Sequence, residues 1–258
     1  MNYDNILIDR RGFLTIVTIN RPEAHNALND QAQDELADVF DKFDVDDEQR
    51  VAIITGAGDK AFCAGHDLKQ QASGGELKPL RRGFGGLAGR FDLTKPVIAA
   101  VNGAAVGGGF ELAMACDLIV ACERASFALP EPRVGLAALG GGIQRLPQQI
   151  GLKRAMGLLL TGRRVEAAEA FEIGLVNEVV AGDALHGAIR WAEQVLSCSP
   201  LAVRATKDAT MRGLSTSIEN GMIDQWAYHS MQTMLKSADA VEGPAAFVEK
   251  RAPIWRGM

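Results

Sequence analysis

Hydrophobic and polar positions alternate between two regimes along this chain. "NILIDRRGFLTIVTIN" holds two short apolar runs around a turn at Arg11-Gly12, the pattern of paired strands. In the following segment, Leu28, Leu36, Val39, Phe40 and Phe43 recur at helical spacing, and Asn29 or Asp30 can cap the helix start. "RVAIITG", "LTKPVIAAVNG" and "CDLIVACE" are apolar runs of buried-strand length, with helical segments between them. This strand–helix–strand order predicts a largely buried sheet covered by helices. Residues 70–90 carry six glycines and no periodic core pattern, which reads as a loop beside a pocket or as a surface linker. From about residue 147 the pattern is mostly helical, and the last 60 residues read as helices packed on something else, another subunit included. No internal repeat is evident.

Composition narrows the function classes. The 258 residues are 47% hydrophobic, enough for a sizeable core in one domain or slightly more. A net charge of -5 without long charge runs argues against a nucleic-acid groove or an electrostatic membrane anchor. No run of 18 apolar residues occurs, and "MNYDNILIDRRG" lacks a signal-peptide core, so a cytoplasmic, non-membrane protein is expected. Cys63, Cys116, Cys122 and Cys198 have no CxxC spacing and read as core thiols; with four histidines and no HxxxH, no metal site is expected.

Two glycine-rich turns carry the candidate chemistry. "GAGDKAFCAGHDLK" follows the "RVAIIT" strand, and "VNGAAVGGGFELAMACD" follows the "PVIAAV" strand. Neither is a GxxxxGK[ST] or GxGxxG phosphate loop. Two such turns can be merely structural, or they can aim two backbone N–H groups at one carbonyl oxygen as it gains negative charge. A helix starting at "GFELAMACD" would add its N-terminal partial charge. Glu111 sits among small apolar residues in that helix, and Glu131 lies between two prolines in "SFALPEPRVGL". Each glutamate alone reads as a cap or ion-pair residue; together beside two donors they suit acid–base addition of water across an activated double bond.

These stretches, with "NRPEAHNALN" (20–29), "VAIITGAGDKAFCAGHDLK" (51–69), the run from Lys95 to Gly151, "LLLTGRRVEAAEAFEIGLVNEVV" (158–180) and "EGPAAFVEKRAPIW" (242–255), resemble the enoyl-CoA hydratase/isomerase, or crotonase, superfamily collinearly over nearly the whole chain. The resemblance implies an α/β fold: a spiral of ββα units over residues 1–195 carrying the acyl-CoA site, and a helical C-terminal trimerisation region over 196–258. Two trimers commonly stack into a hexamer in the family. It implies an oxyanion hole from the backbone N–H groups of His66 and Gly108, and the catalytic pair Glu111 and Glu131. Glu131 would deliver the α-proton and Glu111 would hold and activate water. The substrate would be an acyl-CoA thioester, with no separate cofactor. Ala24, His25, Ala27, Ala64, His66, Asp67 and Leu68 would lie along the coenzyme A moiety. Lys250 would approach a phosphate or be a solvated lysine.

The chain departs from the family pattern at His66, where alanine is common, and at Ala138 and Leu139, where proline and glycine are frequent. At His66 the backbone donor is kept while the larger side chain narrows the pocket or makes its own hydrogen bond; Ala138 and Leu139 imply a shifted substrate range, with Leu139 keeping its N–H but adding bulk. Arg81, Arg82 and Arg90 read as a solvated basic face or as partners for an anion. Reversible hydration of a 2-enoyl-CoA is the leading expectation. Enoyl-CoA isomerisation, dehydration of a specialised hydroxyacyl-CoA, and non-catalytic binding of a CoA thioester are the alternatives.

Overall fold

The computed structural model describes residues 3–67, 80 and 82–258. Strands β1 (Ile6–Arg11) and β2 (Leu14–Ile19) form the expected hairpin, closed at Gly12. Helix α1 (Asp30–Val45) follows, capped by the Asn29 side chain, which accepts the Ala32 N–H at 2.9 Å. Leu36, Val39, Phe40 and Phe43 form its buried face.

From there successive strands divide between two sheets. β3 (Val51–Gly56), β5 (Val97–Val101) and β7 (Leu118–Cys122) extend β1–β2 into a six-stranded sheet ordered β1-β2-β3-β5-β7-β10. β4 (Ala61–Cys63), β6 (Ala104–Val106) and β8 (Ser126–Ala128) build a second sheet, ordered β4-β6-β8-β9. Each coil of the chain thus gives one strand to each sheet, in parallel register: Ile53 faces Ile98 in one, and Ala104 faces Ser126 in the other. The second and third coils are followed by helices α2 (Gly108–Ala115) and α3 (Gly142–Ile150). This is the expected ββα spiral. Phe62, Phe110, Leu112 and Phe127 are fully buried, and the Phe110 and Phe127 rings lie 5.3 Å apart. Removing such side chains from water is worth roughly 1.5–3 kcal/mol each.

After α4 (Leu152–Thr161), the stretch read as mostly helical contains two short strands around α5 (Ala167–Glu172). β9 (Val165–Glu166) pairs with β8, and β10 (Glu178–Val180) pairs with β7. Two or three residues carry too little alternation to be read as strands; their pairing comes from the waiting sheet edges. Helix α6 (Ala184–Leu196) then covers the larger sheet, where Gly187 leaves room for Val120 and Val180. α7 (Pro200–Gly213) is fastened by Lys207, which donates to Asp117 and the Lys95 carbonyl at 2.8 and 2.9 Å. α8 (Ile218–Asp224), α9 (His229–Leu235) and α10 (Ala238–Glu249) complete the C-terminal helical region.

Three expectations need correction. Cys198 is exposed, at the end of α6 rather than in the core with the other three thiols. Arg90 belongs to no solvated face: its guanidinium is buried and bonded to Asp41, the Ala37 carbonyl and the Gly86 carbonyl. The segment from Gly83 to Arg90 is not a surface linker, because Phe84, Gly85, Gly86, Leu87 and Ala88 pack into the core against α1 and α2. Glycines hid that packing by supplying close backbone approach in place of periodic side chains. Arg81 lies outside the described residues. Among the described residues, no helix is long and apolar enough to cross a membrane.

Candidate active site

The site forms where the ends of β4 and β6 lie side by side. Gly65, at φ +91°, is so close to the next coil that a Cβ there would stand 3.1 Å from the Gly108 nitrogen and 2.8 Å from the Val106 carbonyl oxygen. The glycine triplet answers a similar constraint. Gly107 has φ +55°, and a Cβ on Gly109 would fall 1.9 Å from the Cys63 carbonyl oxygen. The backbone entropy cost of the triplet therefore secures contact between two successive coils.

The hydrogen bonds around His66 orient its amide. Leu28 N–H donates to the Gly65 carbonyl at 2.8 Å, and Asp67 N–H donates to the Leu28 carbonyl at 3.0 Å. In an extended segment the intervening amide points to the other edge. That edge is where Gly108 lies, at the first position of α2, whose N–H has no acceptor within the helix. The positive end of the α2 dipole lies at the same point.

Glu111 occupies the first turn of α2 and is only 4% exposed. Its Oε1 accepts the Gly142 N–H at 2.8 Å, and the backbone N–H of Gly140 is near enough to favour the charged carboxylate. A Cβ on Gly140 would come within 2.5 Å of Oε2, so any side chain there would have to displace the carboxylate. Burial pushes the Glu111 carboxyl up to about 7, and the neighbouring Glu131 adds to the rise; the two backbone donors and Arg145 pull against it. Glu131 begins the 3-10 turn Glu131–Val134. Its Oε1 lies 3.1 Å from where a Gly107 Cβ would be, and its buried Oε2 has no partner among the described residues. Burial raises its pKa too. Two carboxyls with raised proton affinity therefore sit beside two backbone turns, one cradled and one with a free oxygen.

A second loop lies along this edge. His25, in the left-handed region at φ +51°, accepts the Ala64 N–H at 3.1 Å. Buried Asn26 fixes the bend by donating to the Ala57 and Ala61 carbonyls and accepting the Arg21 N–H. Arg21 then bonds the Ala27 carbonyl and pairs with Asp67 at 3.2 Å. The structure thus brings Ala24, His25 and Ala27 beside Ala64, His66 and Asp67. Leu68 lies outside the described residues. Leu139 is 76% exposed, one residue before the Glu111 cradle. Lys250 is exposed in a left-handed turn at the end of α10, and its side chain bonds no described residue, so it is not joined to the site within this chain.

Sequence reasoning overlooked three contributors. Gly142 supplies the hydrogen-bond donor to Glu111 and Gly140 the close backbone beside it, and the signal was present: residues 140–142 are a second glycine triplet, opening a helix as 107–109 does. Arg145, on α3, packs its guanidinium over Phe91 at 5.3 Å and donates to the Ala88 carbonyl at 2.8 Å, close enough to influence Glu111. Nothing in its spacing marks it.

The family model described as Enoyl-CoA hydratase/isomerase matches residues 10–258. Carnitinyl-CoA dehydratase of Citrobacter koseri is 44% identical, covering 98% of this chain and 99% of the relative. The protein of the same name from Proteus mirabilis is 44% identical over 96% of each chain. Among solved structures, an enoyl-CoA hydratase from Mycobacterium tuberculosis H37Rv superposes with a TM-score of 0.92 at 43% identity, covering 98% of this chain and 99% of that one. The chain belongs to the enoyl-CoA hydratase/isomerase family, the crotonase superfamily.

Proposed function

We propose that this protein is a lyase that adds water reversibly across the 2,3 double bond of a 2-enoyl-CoA, giving a 3-hydroxyacyl-CoA. The observation that carries the reading is the pair of carboxyls: buried Glu111 held by the Gly142 N–H, and half-buried Glu131 with one oxygen unpartnered among the described residues. The thioester carbonyl accepts the His66 and Gly108 N–H groups. A water held by Glu111 and Glu131 attacks C3. The C–O bond forms as the π electrons move through C2 to the thioester oxygen. The water proton passes to a carboxylate, and Glu131 returns a proton to C2, collapsing the enolate. Donors already placed at the developing oxyanion need no reorganisation, and one of them is worth about 2.7–4 kcal/mol in other enzymes. The loop of Ala24, His25 and Ala27, with Ala64, Asp67 and Leu68, accommodates the coenzyme A portion.

A second reading keeps the machinery and runs it backwards on a specialised hydroxyacyl-CoA. The carnitinyl-CoA dehydratases at 44% identity favour it, as do Leu139 and His66, the departures from the family pattern. Isomerisation needs only one proton-shuttling carboxyl and leaves the Glu111 cradle without a task. Incubation with a panel of enoyl- and hydroxyacyl-CoA esters, read by mass spectrometry, separates the three. A gain or loss of 18 mass units supports hydration or dehydration, an unchanged mass with a moved double bond supports isomerisation, and a folded protein inert on the whole panel overturns the reading.

Residues 196–258 are further proposed to assemble a homotrimer or a dimer of trimers. Ile218, Met222, Trp226, Phe247 and Val248 are exposed apolar side chains of this region, more than a monomer ordinarily leaves in water. Light scattering on the purified protein gives the mass: a multiple of three chains supports the assembly, and a monomer refutes it.

A further inference from the structure

A second cavity, of about 270 Å³, opens between the turn before β3, the corner joining α6 to α7, and the C-terminal tail. None of the catalytic or coenzyme-side residues named above borders it. Its distinctive feature is a group of four basic residues held without ion pairs among the described residues. Arg50, Lys95, Arg204 and Arg256 reach it from four separate parts of the chain. Among the described residues none of the four forms an ion pair, whereas Arg10, Arg21, Arg90, Lys207 and Arg251 all do.

The partners these cations have are neutral. Arg50 stacks 3.7 Å over the Phe13 ring. Arg204 Nε donates to Thr94 Oγ1 at 3.0 Å. Buried Lys95 donates to the Phe43 and Asp46 carbonyls at 2.8 and 2.7 Å. The acidic side chains that border the cavity, Asp47 and Glu48, are exposed. Burial, and after it Arg204, disfavour the Lys95 charge, while Asp44, Asp46 and Asp47 favour it.

The tail wall is fixed. Buried Asp239 accepts the Arg256 N–H at 2.8 Å, the Gly257 N–H at 3.3 Å and the Ser199 hydroxyl at 2.8 Å. Gly257 is held 3.2 Å, measured from its Cβ position, from Pro200 and 3.8 Å from the Arg50 guanidinium. Pro200 and Leu201 also border the cavity, so the positive end of α7 is directed at it.

We propose that this cavity binds a small phosphate-bearing anion, with Arg50, Arg204 and Arg256 as its ligands. A phosphate offers the charge and the several acceptor oxygens that three guanidinium groups require, which a monocarboxylate does not. The volume admits inorganic phosphate or a compact phosphomonoester, two sources that share this chemistry.

Calorimetric titration of the whole protein at low ionic strength, with inorganic phosphate in one arm and glycerol 3-phosphate in the other, tests the proposal. Saturable binding of either is expected, with the tighter arm naming the source. Arg204→Gln and Arg50→Gln should each weaken it about tenfold, as loss of a charge-assisted hydrogen bond does, while Arg163→Gln, on α4's far loop, should leave it unchanged. Where either buried-side variant fails to fold, Arg256→Gln on the exposed tail replaces it, with the same expected loss. No saturable binding, or binding indifferent to all three cavity variants, overturns the proposal. The same holds if a second copy's carboxylate occupies the cavity in the assembled protein.

Discussion

Glu111 Oε1 accepts a hydrogen bond from Gly142 N–H at 2.8 Å, across 31 residues of chain. The contact joins the first turn of one buried helix to the first turn of the next, and it holds a carboxyl inside the core. Water activation in the proposed reaction depends on that placement. Glu111→Gln and Glu131→Gln should each lower kcat by about 10²–10⁴-fold, the range of a lost general acid or base. Steady-state hydration kinetics of the two folded variants check this, and retention of full activity by either would remove that residue from the mechanism.

The cradle itself makes a separate expectation. A Cβ on Gly140 would press within 2.5 Å of Glu111 Oε2, and one on Gly142 would meet Oε1 at 3.0 Å and the Ala138 Cβ at 2.9 Å. Gly140→Ala should therefore displace the carboxylate and reduce kcat with little change in KM, since the coenzyme loop lies elsewhere. Gly135→Ala is a useful companion, because Gly135 bears a positive φ, unlike Gly140, and has open space around it. It should cost stability with little effect on kcat. Equal kcat losses in both would indicate a general backbone effect.

These glycines also show where the sequence was legible and where it was not. The strands from Val51, Val97 and Leu118 were readable because parallel buried strands are continuous apolar runs. The α1 face was readable because one stripe of apolar residues repeats at helical spacing. That consecutive strands leave for different sheets was not readable from periodicity, since each run looks alike; it came from the family resemblance. The burial of Arg90 was hidden because backbone carbonyls and one aspartate satisfy its guanidinium, and that of Gly83–Ala88 because glycines interrupt its apolar residues. The role of Arg145 depends on Phe91 and Ala88 approaching it from a different part of the chain.

Stability should carry the signature of Glu111. Its folded carboxyl titrates near 7, above the ordinary 4.5. The folded state therefore binds more protons than the unfolded state between these values, and stability falls as pH rises through that window. Full protection lies below about 4.5 for this group, other carboxylates aside. Chemical denaturation from pH 4.5 to 8 should show a loss in wild type that is smaller in Glu111→Gln. Parallel curves for the two proteins would mean that the carboxyl is not perturbed as described.

Arg145 should act through Glu111 rather than on substrate. Its positive charge helps keep the Glu111 carboxyl from rising further. Arg145→Gln is expected to move the limb of the pH–kcat profile assigned to the glutamate pair to higher pH, and Arg145→Lys to restore part of the shift. A purely structural role would lower activity at every pH without moving the limb.

The most direct measurement is isotope incorporation from labelled water. Incubated with crotonyl-CoA in H2(18)O, the folded protein should yield 3-hydroxybutyryl-CoA carrying the heavy oxygen at C3, and the Glu111→Gln/Glu131→Gln double variant should yield none above the uncatalysed level. Wild-type turnover of enoyl-CoA without heavy oxygen in the product, or undiminished incorporation by the double variant, would contradict addition of water by this pair of carboxyls.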